Sequence, residues 1–338
     1  MTGGPVIVWG RQATPRRLSP TGRGSDMRQR GLSLVELLIA MALGLLLLAG
    51  VIQVVLSSKR SYQNSVALAE LQENGRFALE AIAQDLRHAG FTGACPAGLV
   101  NASGTDNARY AVEKSAIEGY GAGMPAVAWI PSGRVANTDA VLLRSAAEPV
   151  LAARSITANR LLLPSSTAVA GAFYLLSDQQ SCLLLRNAGN ALSLIADRPL
   201  EHFLAPATRI YPYRFAIYWI GRGESGTPGL FVTDNSETTD KVQTSELVTG
   251  VAGMSLRYGV AGMDSTVVAT YKAAREMTAE EWRQVRTVRV NLLLQSQTRD
   301  VDEAPNSMVF DGRSLAPDAD RRLRLVMGST IALRNLPP

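Results

Sequence analysis

Gly31 and Glu36 are the residues whose types and spacing most suggest chemistry in this chain. They lie at the start of an apolar stretch, residues 32–56, in which the clearly polar side chains are Ser33, Glu36 and Gln53. A charge at the centre of a membrane costs about 2.5–3.5 kcal/mol on insertion scales, and such residues usually pair with one another. We therefore interpret Glu36 as a carboxylate that binds a cationic partner. The alternative is that it lies near the membrane surface and extends to lipid headgroups.

A helix must position these residues if the stretch crosses a bilayer. About 20 mostly apolar residues are enough to span one, and a helix satisfies all backbone hydrogen bonds within itself. A buried core helix is one alternative. A cleaved secretory signal is another, but it needs a small-residue cleavage site after the apolar core, and no A-x-A follows before Lys59. The small residue Gly31 precedes the stretch instead, so cleavage there would leave a permanent membrane anchor.

The charge of the chain is concentrated ahead of this stretch. Residues 1–31 carry six arginines and one aspartate, which accounts for the whole formal net charge of +5. A basic flank predicts the cytoplasmic side, although Lys59 and Arg60 follow the stretch. We therefore expect residues beyond the span to be periplasmic in a bacterium. Since the remainder is neutral overall, we expect no nucleic-acid partner.

The sequence GLSLVELL, residues 31–38, resembles the class III signal of type IV pilins and type II secretion pseudopilins. This resemblance implies that a prepilin peptidase cuts after Gly31 and that the new N-terminus, Leu32, is methylated. The family most often has Phe at that first mature position. The resemblance also makes Glu36 the conserved acid of the family, whose carboxylate meets the freed amine of a neighbouring subunit and sets subunit register in a fibre.

A second methionine suggests a shorter precursor. Residues 27–31, MRQRG, form a complete short leader of the pilin kind, whereas residues 1–26 are rich in Gly, Pro and Arg. We predict either that translation starts at Met27 or that residues 1–26 are an unstructured extension.

Cys95 and Cys182 are the two cysteines of the chain. In an oxidising compartment two such residues in one domain commonly form a disulfide. A bridge closing a loop of about 88 residues would contribute about 4–5 kcal/mol in the loop-entropy model. The alternative is a pair of buried free thiols.

Apolar periodicity predicts that the helix continues through residues 57–90 and that Gly90 ends it. The apolar positions there are Leu68, Leu71, Ala78, Leu79, Ile82 and Leu86. From about residue 95 the pattern changes to short strand-like runs separated by Gly, Pro, Asn and Asp. The predicted strands are Val127–Ile130, Ala140–Ser145, Arg160–Leu163, Ala172–Leu176, Cys182–Arg186, Leu192–Ile195, Arg209–Ile220, Gly229–Val232, Gly253–Val260, Val267–Tyr271, Val285–Leu294 and Leu323–Leu333. Thr278–Trp282 resembles the start of a one-turn helix.

This order predicts an α+β fold in which a long N-terminal helix packs on a C-terminal antiparallel β-sheet domain. We divide the chain into a leader (1–31), a transmembrane helix (32–56), its periplasmic continuation (57–90) and a periplasmic β-rich globular domain (91–338). This arrangement matches pilin-like folds.

Later segments are similar to PilW-type minor pilins. They are residues 74–78 (NGRFA), 85–87 (DLR), 89–91 (AGF), 256–260 (LRYGV), 282, 288–290 (VRV) and 330–335 (TIALRN). The resemblance implies a low-abundance pilus component that helps to prime fibre assembly in the inner membrane. Its partners would be other minor pilins, the major pilin, the prepilin peptidase and the assembly platform. Twitching motility, adhesion and DNA uptake would be downstream roles. The resemblance also implies that the subunit lies in the pilus fibre, at its tip.

Two other functions remain open at this point. One is a minor pseudopilin of a type II secretion system, of the J type. The other is a membrane-anchored adhesin or binding module whose strands present a ligand surface.

Signatures of enzymes are scarce in the sequence. His88 and His202 are the only histidines, and no G-x-S-x-G, G-x-x-x-x-G-K-[ST] or G-x-G-x-x-G motif is present. We expect no catalytic activity, no cofactor and no metal. The oxygen-rich segment 234–240 could suit calcium, but it lacks EF-hand spacing and we interpret it as a solvated turn. The aromatic residues 211–219 are interpreted as strand faces rather than a ligand platform.

The cleavage hypothesis predicts that Gly31→Ala leaves an unprocessed, larger band on a gel, because the peptidase loses the residue it cuts after. Mass spectrometry of the mature N-terminus, without reduction, would locate the cut and show whether Cys95 and Cys182 are bonded. A normal, processed band from the variant would contradict the hypothesis. In a peptidase-deficient strain, a product that begins at Met1 would contradict a start at Met27.

Overall fold

The computed structural model describes residues 33–95, 98–125, 127–165, 167–178, 180–205, 207–235, 242–262, 267–302 and 307–335. The chain divides into two compact units, Met1–Ser57 and Ser58–Pro338. The described part of the first unit is the beginning of one helix, and the second unit contains the rest of that helix and all the strands.

Helix α1 spans Leu34–His88, within two residues of the predicted bounds at each end. Ser33 precedes it, and the Ser33 side chain accepts a hydrogen bond from the Glu36 N–H at 3.2 Å. The helix ends as predicted at Gly90, which has a φ of +81°. A left-handed residue in this position is a common helix terminator, and glycine adopts it without the steric cost of a Cβ.

The second unit is rich in β-strands. The strands before residue 200 are β1 (Leu99–Ala102), β2 (Ile117–Tyr120), β3 (Ala140–Ala146), β4 (Leu151–Ala152), β5 (Ser155–Thr157), β6 (Arg160–Leu162), β7 (Phe173–Ser177), β8 (Cys182–Arg186) and β9 (Ser193–Ile195). The later strands are β10 (Arg209–Arg222), β11 (Pro228–Asn235), β12 (Val242–Thr249), β13 (Val251–Ala261), β14 (Val268–Lys272), β15 (Val285–Gln295), β16 (Met308–Phe310), β17 (Arg313–Leu315) and β18 (Arg324–Ala332).

Strand β10 organises the largest sheet, which has nine strands and the main order β1-β8-β7-β10-β11-β12. Its 14 residues pair with β7 near one end and with β3 and β11 further along. Strands β2 and β4 join through β3 and β10. The expected antiparallel pairing holds except between β1 and β8, which are parallel.

A second sheet of four strands, in the order β14-β13-β15-β18, is antiparallel throughout. The predicted strand β15 is confirmed and alternates, because Val288, Val290 and Leu292 are buried while Arg289 is exposed. Strands β5, β6 and β9 form a small three-stranded sheet, and β16 and β17 form a hairpin.

The core of the second unit lies where α1 meets both large sheets. Leu71, Ile82 and Leu86 of the helix are at most 2% exposed. They belong to one cluster with residues of β10 and β11 on one side and of β13, β15 and β18 on the other. Of the six apolar positions predicted to face the core, Leu68 does not, since it is 38% exposed.

Three parts of the sequence interpretation differ from the structure. Val127–Ile130 is a turn rather than a strand, although Trp129 is buried there. Seven strands were not predicted, because β12 is largely polar and the others have only two to four residues: β1, β2, β4, β5, β16 and β17. Thr278–Trp282 contains only the start of a 3₁₀ turn, Glu281–Gln284.

Strand β3 buries a charge that the sequence did not reveal. Arg144 is 1% exposed and forms an ion pair with Glu118 at 2.6 Å. Its remaining donors bind the carbonyl oxygens of Ala108 and Ser115. Because every donor group has an acceptor, the guanidinium is tolerated in the interior.

Close packing of α1 on the four-stranded sheet depends on Gly75. A Cβ at this position would overlap the Met327 Sδ and the Leu294 Cδ1. Gly75→Val should therefore lower the free energy of unfolding by about 1–3 kcal/mol, the usual cost of overpacking. Thermal unfolding of the full chain in detergent would measure it. The matched control Gln72→Val lies on the exposed face of the same helix and should cost about 0.5 kcal/mol. Equal effects of the two variants would contradict this account of the packing.

Candidate assembly site

Glu36 lies in the first turn of α1, at its exposed surface. It follows the N-terminal cap Ser33 by three residues, and backbone hydrogen bonds from Glu36 and Leu37 to the Ser33 carbonyl oxygen begin the helix. The S-x-x-E spacing is that of a capping box, a signal that the sequence interpretation overlooked. An acid here also interacts favourably with the helix dipole. Glu36 therefore has a local role in starting the helix, besides any role between subunits. Gly31 and Leu32 lie outside the described residues.

The first unit exposes an apolar surface along its described residues. The helix contains an 18-residue stretch apolar and long enough to cross a membrane, and none of that stretch is buried. Its leucines, isoleucines and valines from Leu34 to Leu56 are about half or more exposed. The alternative of a buried core helix is therefore wrong for the single chain. A surface of this size needs another apolar environment, which a bilayer or a bundle of similar helices provides.

The two cysteines meet just beyond the end of α1. Cys95 and Cys182 form a disulfide in the structure, with Cα atoms 5.5 Å apart. The same segment is held by a hydrogen bond from the Ser177 hydroxyl to the Ala94 carbonyl oxygen at 2.7 Å. The bridge joins the chain leaving the helix to the start of β8, a strand of the large sheet that contributes no residue to the core cluster around α1.

A partly buried ion pair joins α1 to β10. Arg214 donates to Asp85 Oδ1 at 2.8 Å, and the Tyr218 hydroxyl donates to Asp85 Oδ2 at 2.8 Å. Asp234 of β11 lies 3.5 Å from the other guanidinium nitrogen. These contacts fix the rotation of the helix on the sheet, because both carboxylate oxygens of Asp85 are bound in one geometry.

The electrostatics of this cluster follow from burial and from Asp85. Burial lowers the pKa of Arg214, but the hydrogen bond and charge of Asp85 outweigh it, so the pKa lies above its ordinary value. Burial raises the pKa of Tyr218, and the charge of Asp85 raises it further. The arginine is thus held charged and the tyrosine neutral, which favours a structural ion pair over proton transfer.

A groove of about 980 Å³ lies beside this cluster, between α1 and the large sheet. Asp85 and His88 of α1 line one side, and Arg214, Tyr218 and Asp234 of the sheet line the other. The described residues contain no group of three or more His, Cys, Asp or Glu side chains arranged to hold a metal.

The oxygen-rich segment 234–240, interpreted as a solvated turn, begins inside β11, where Asn235 is buried. Asp234 contacts Arg214, and the Asn235 side chain bonds the backbone of Phe215 and Tyr213. Residues 236–240 lie outside the described part. The aromatic side chains of β10 belong to the core: Tyr213, Phe215, Tyr218 and Trp219 are all at most 5% exposed.

Comparison with known proteins decides the family. Residues 217–335 match the model of the type IV pilus-assembly protein W family. Residues 26–52 match the prokaryotic N-terminal methylation motif. Together the two matches support a PilW-like type IV pilin. Neither a curated protein nor a solved structure shows a significant match.

The two matches divide the PilW-like pilin into distinct parts. The methylation motif includes Gly31, Leu32 and Glu36, and the apolar N-terminal helix fits a membrane-anchored pilin. The PilW match begins inside β10 and extends past β18, so it includes the four-stranded sheet that packs on α1. The similar segments at 256–260, 282, 288–290 and 330–335 lie inside it, whereas those at 74–91 and the strands β1–β9 precede it.

In the sequence, Asp85 stands out only as part of segment 85–87, which is similar to PilW-type minor pilins. No role was predicted for Asp85 or for Arg214. A lone acid on the helix and a lone base on a strand are 129 residues apart in sequence. No local pattern relates them, so only the packing of α1 on β10 brings them together.

The buried tyrosines predict alkaline instability of the pilin domain. The pKa values of Tyr213, Tyr218 and Tyr258 are raised above 10.0 by burial. These groups stay neutral when folded, so their contribution is complete below pH 10 and is lost as pH rises further, by about 1.4 kcal/mol per pH unit for each. Tyr218→Phe should make the fall in unfolding free energy between pH 10 and 11.5 shallower by that amount. Denaturant titrations at each pH would measure it.

The exposed Tyr62, 71% accessible on α1, provides the control. Tyr62→Phe should leave the pH dependence unchanged. An identical slope for Tyr218→Phe and the unsubstituted chain would mean that Tyr218 ionises freely in the folded domain.

Proposed function

We propose that this chain is a minor pilin that helps to prime and assemble type IV pili. A prepilin peptidase cuts between Gly31 and Leu32, the new N-terminus is methylated, and the helix anchors the subunit in the inner membrane until assembly. The observation that carries the proposal is the pairing of a methylation motif at residues 26–52 with a PilW match at residues 217–335. The second match favours a pilus over a secretion pseudopilus.

Glu36 is the proposed assembly contact. It lies on the exposed surface of the first turn of a helix whose surroundings are apolar. Removal of the leader would free an α-amine at Leu32, and a carboxylate in an apolar environment is stabilised by such a cation. In a bundle of subunits the amine of one chain would meet Glu36 of its neighbour. One ionic contact per subunit then sets the axial position of each helix.

The domain beyond the anchor is proposed to be periplasmic. The basic residues that precede the span support an N-terminus inside the cell, and the disulfide between Cys95 and Cys182 suits an oxidising compartment. The partners would be other minor pilins, the major pilin, the peptidase and the assembly platform. The protein would be a substrate of the peptidase and would have no catalytic function of its own.

Substitutions at Glu36 separate the assembly role from the capping role. Glu36→Ala should spare cleavage but impair incorporation into fibres, because the register contact is lost. Glu36→Gln retains a side chain suited to a capping box but has no charge, so it should assemble as poorly as Glu36→Ala. Ser33→Ala removes the cap and keeps the carboxylate, and we expect it to assemble. Immunoblots of sheared pili and of membranes would measure both steps.

Two outcomes would contradict the proposal. Normal incorporation of Glu36→Gln would show that the residue acts through the helix cap rather than through charge. Unaltered piliation after deletion of the whole gene would remove the assembly role itself.

A further inference from the structure

Strand β18 ends the four-stranded sheet. It pairs with β15 along all nine of its residues, without a bulge. No described strand pairs with its other side. An edge of this kind presents a row of backbone donors and acceptors to which another chain can add a strand.

The β18 edge lacks the features that normally protect sheet edges. Arg324 at the start of β18 forms an ion pair with Asp318 at 2.9 Å, and the remaining residues 325–332, LVMGSTIA, include neither a charged residue nor a proline. The opposite end of the same sheet is β14, which has five residues, a lysine and an irregular register. The end strand β12 of the large sheet carries Glu246 and also pairs irregularly. Short length, charge and bulges discourage strand addition, so β18 is the least protected of these three edges.

A groove of about 540 Å³ lies between this edge and α1. Leu325 and Met327 of β18 line one side, and the helix residues Ala69, Gln72, Glu73 and Arg76 line the other. Because side chains alternate along a strand, Ser329 shares the face of Met327 and Ile331. Ile331 is buried but Ser329 is exposed, so the cover over this face is incomplete next to the edge.

We propose that the β18 edge accepts an edge strand of a neighbouring pilus subunit of a different kind. The inference rests on the proposed function, since it assumes that the chain assembles with other pilins. The added strand would run antiparallel to β18 and would extend the sheet to five strands. Its inward side chains would enter the groove beside α1. An uncharged strand with small or apolar inward residues fits the uncharged edge and the apolar side chains of Leu325 and Met327.

The geometry disfavours a second copy of this chain as the occupant. Antiparallel pairing of β18 with β18 would continue the pattern of this sheet, but it requires a twofold axis perpendicular to the sheet. Such an axis reverses every direction in the plane, so the α1 segments on the two sheets would run in opposite directions. Residues 34–56 precede that segment on the same helix in both chains. Subunits anchored in one membrane with the same orientation need helices that run the same way.

A matched pair of lysine substitutions tests the edge. Ser329→Lys would place an ammonium group between the added strand and α1, where it lacks a partner and is costly to desolvate. Ser245→Lys is the control, since Ser245 is exposed on the end strand β12. Each full-length variant would be purified from detergent-solubilised membranes of piliated cells, and the pilins retained with it would be quantified. We expect a loss of at least tenfold for Ser329→Lys and a change of less than twofold for Ser245→Lys.

A cross-linking measurement keeps the test decisive if Ser329→Lys folds poorly, which thermal unfolding would reveal. A photoactivatable phenylalanine analogue at position 329 should cross-link to an edge strand of another pilin, identified by mass spectrometry. A cross-link to a second copy, or no product, would overturn the proposal. If Ser329→Lys and the unsubstituted chain captured equal amounts of other pilins, the proposed strand addition at β18 would be wrong, but the proposed function would stand. If the unsubstituted chain captured no pilin, the proposed function would fail with it.

Discussion

Burial of one face of α1 between two sheets is the interaction on which the rest of the second unit depends. Leu71, Ile82 and Leu86 contribute to a single core with both sheets. Fully burying one such side chain contributes about 1.5–3 kcal/mol, so the helix is the element that joins the two sheets. Without this face the core between the sheets would lose these side chains, and the ion pair of Asp85 with Arg214 would have no fixed geometry.

The same helix meets two different requirements along its length. Its first part is apolar on all sides and exposed in the single chain, whereas its later part buries one face and presents charged residues on the other. A helix that is apolar all round needs lipid or other helices, and one with a single apolar stripe needs a domain to cover it. One continuous element can therefore leave a membrane for a fibre while its domain stays folded on it.

The division between matched and unmatched regions has a physical counterpart. The PilW match covers the four-stranded sheet and, in the large sheet, β11, β12 and the last part of β10, which pack on α1. Strands β2 and β3 also contribute Ile117, Val141 and Leu143 to this core, whereas β1 and β4–β9 belong to other clusters, which the disulfide and the long strand β10 connect to it. The apolar face of α1 therefore packs mainly on the matched strands.

The sequence alone determined the apolar span, the position of Glu36, the end of the helix at Gly90 and the α+β order, because each depends on residues close together in the chain. It also located most strands of the second sheet, where alternation is regular. Only the tertiary structure decided that Arg144 is buried, that Asp85 binds Arg214, that β1 joins β8 in parallel, and that β18 is left at an edge. These depend on which distant segments become neighbours. Pairing between segments is set by the total burial they achieve together, which no local pattern of residues records.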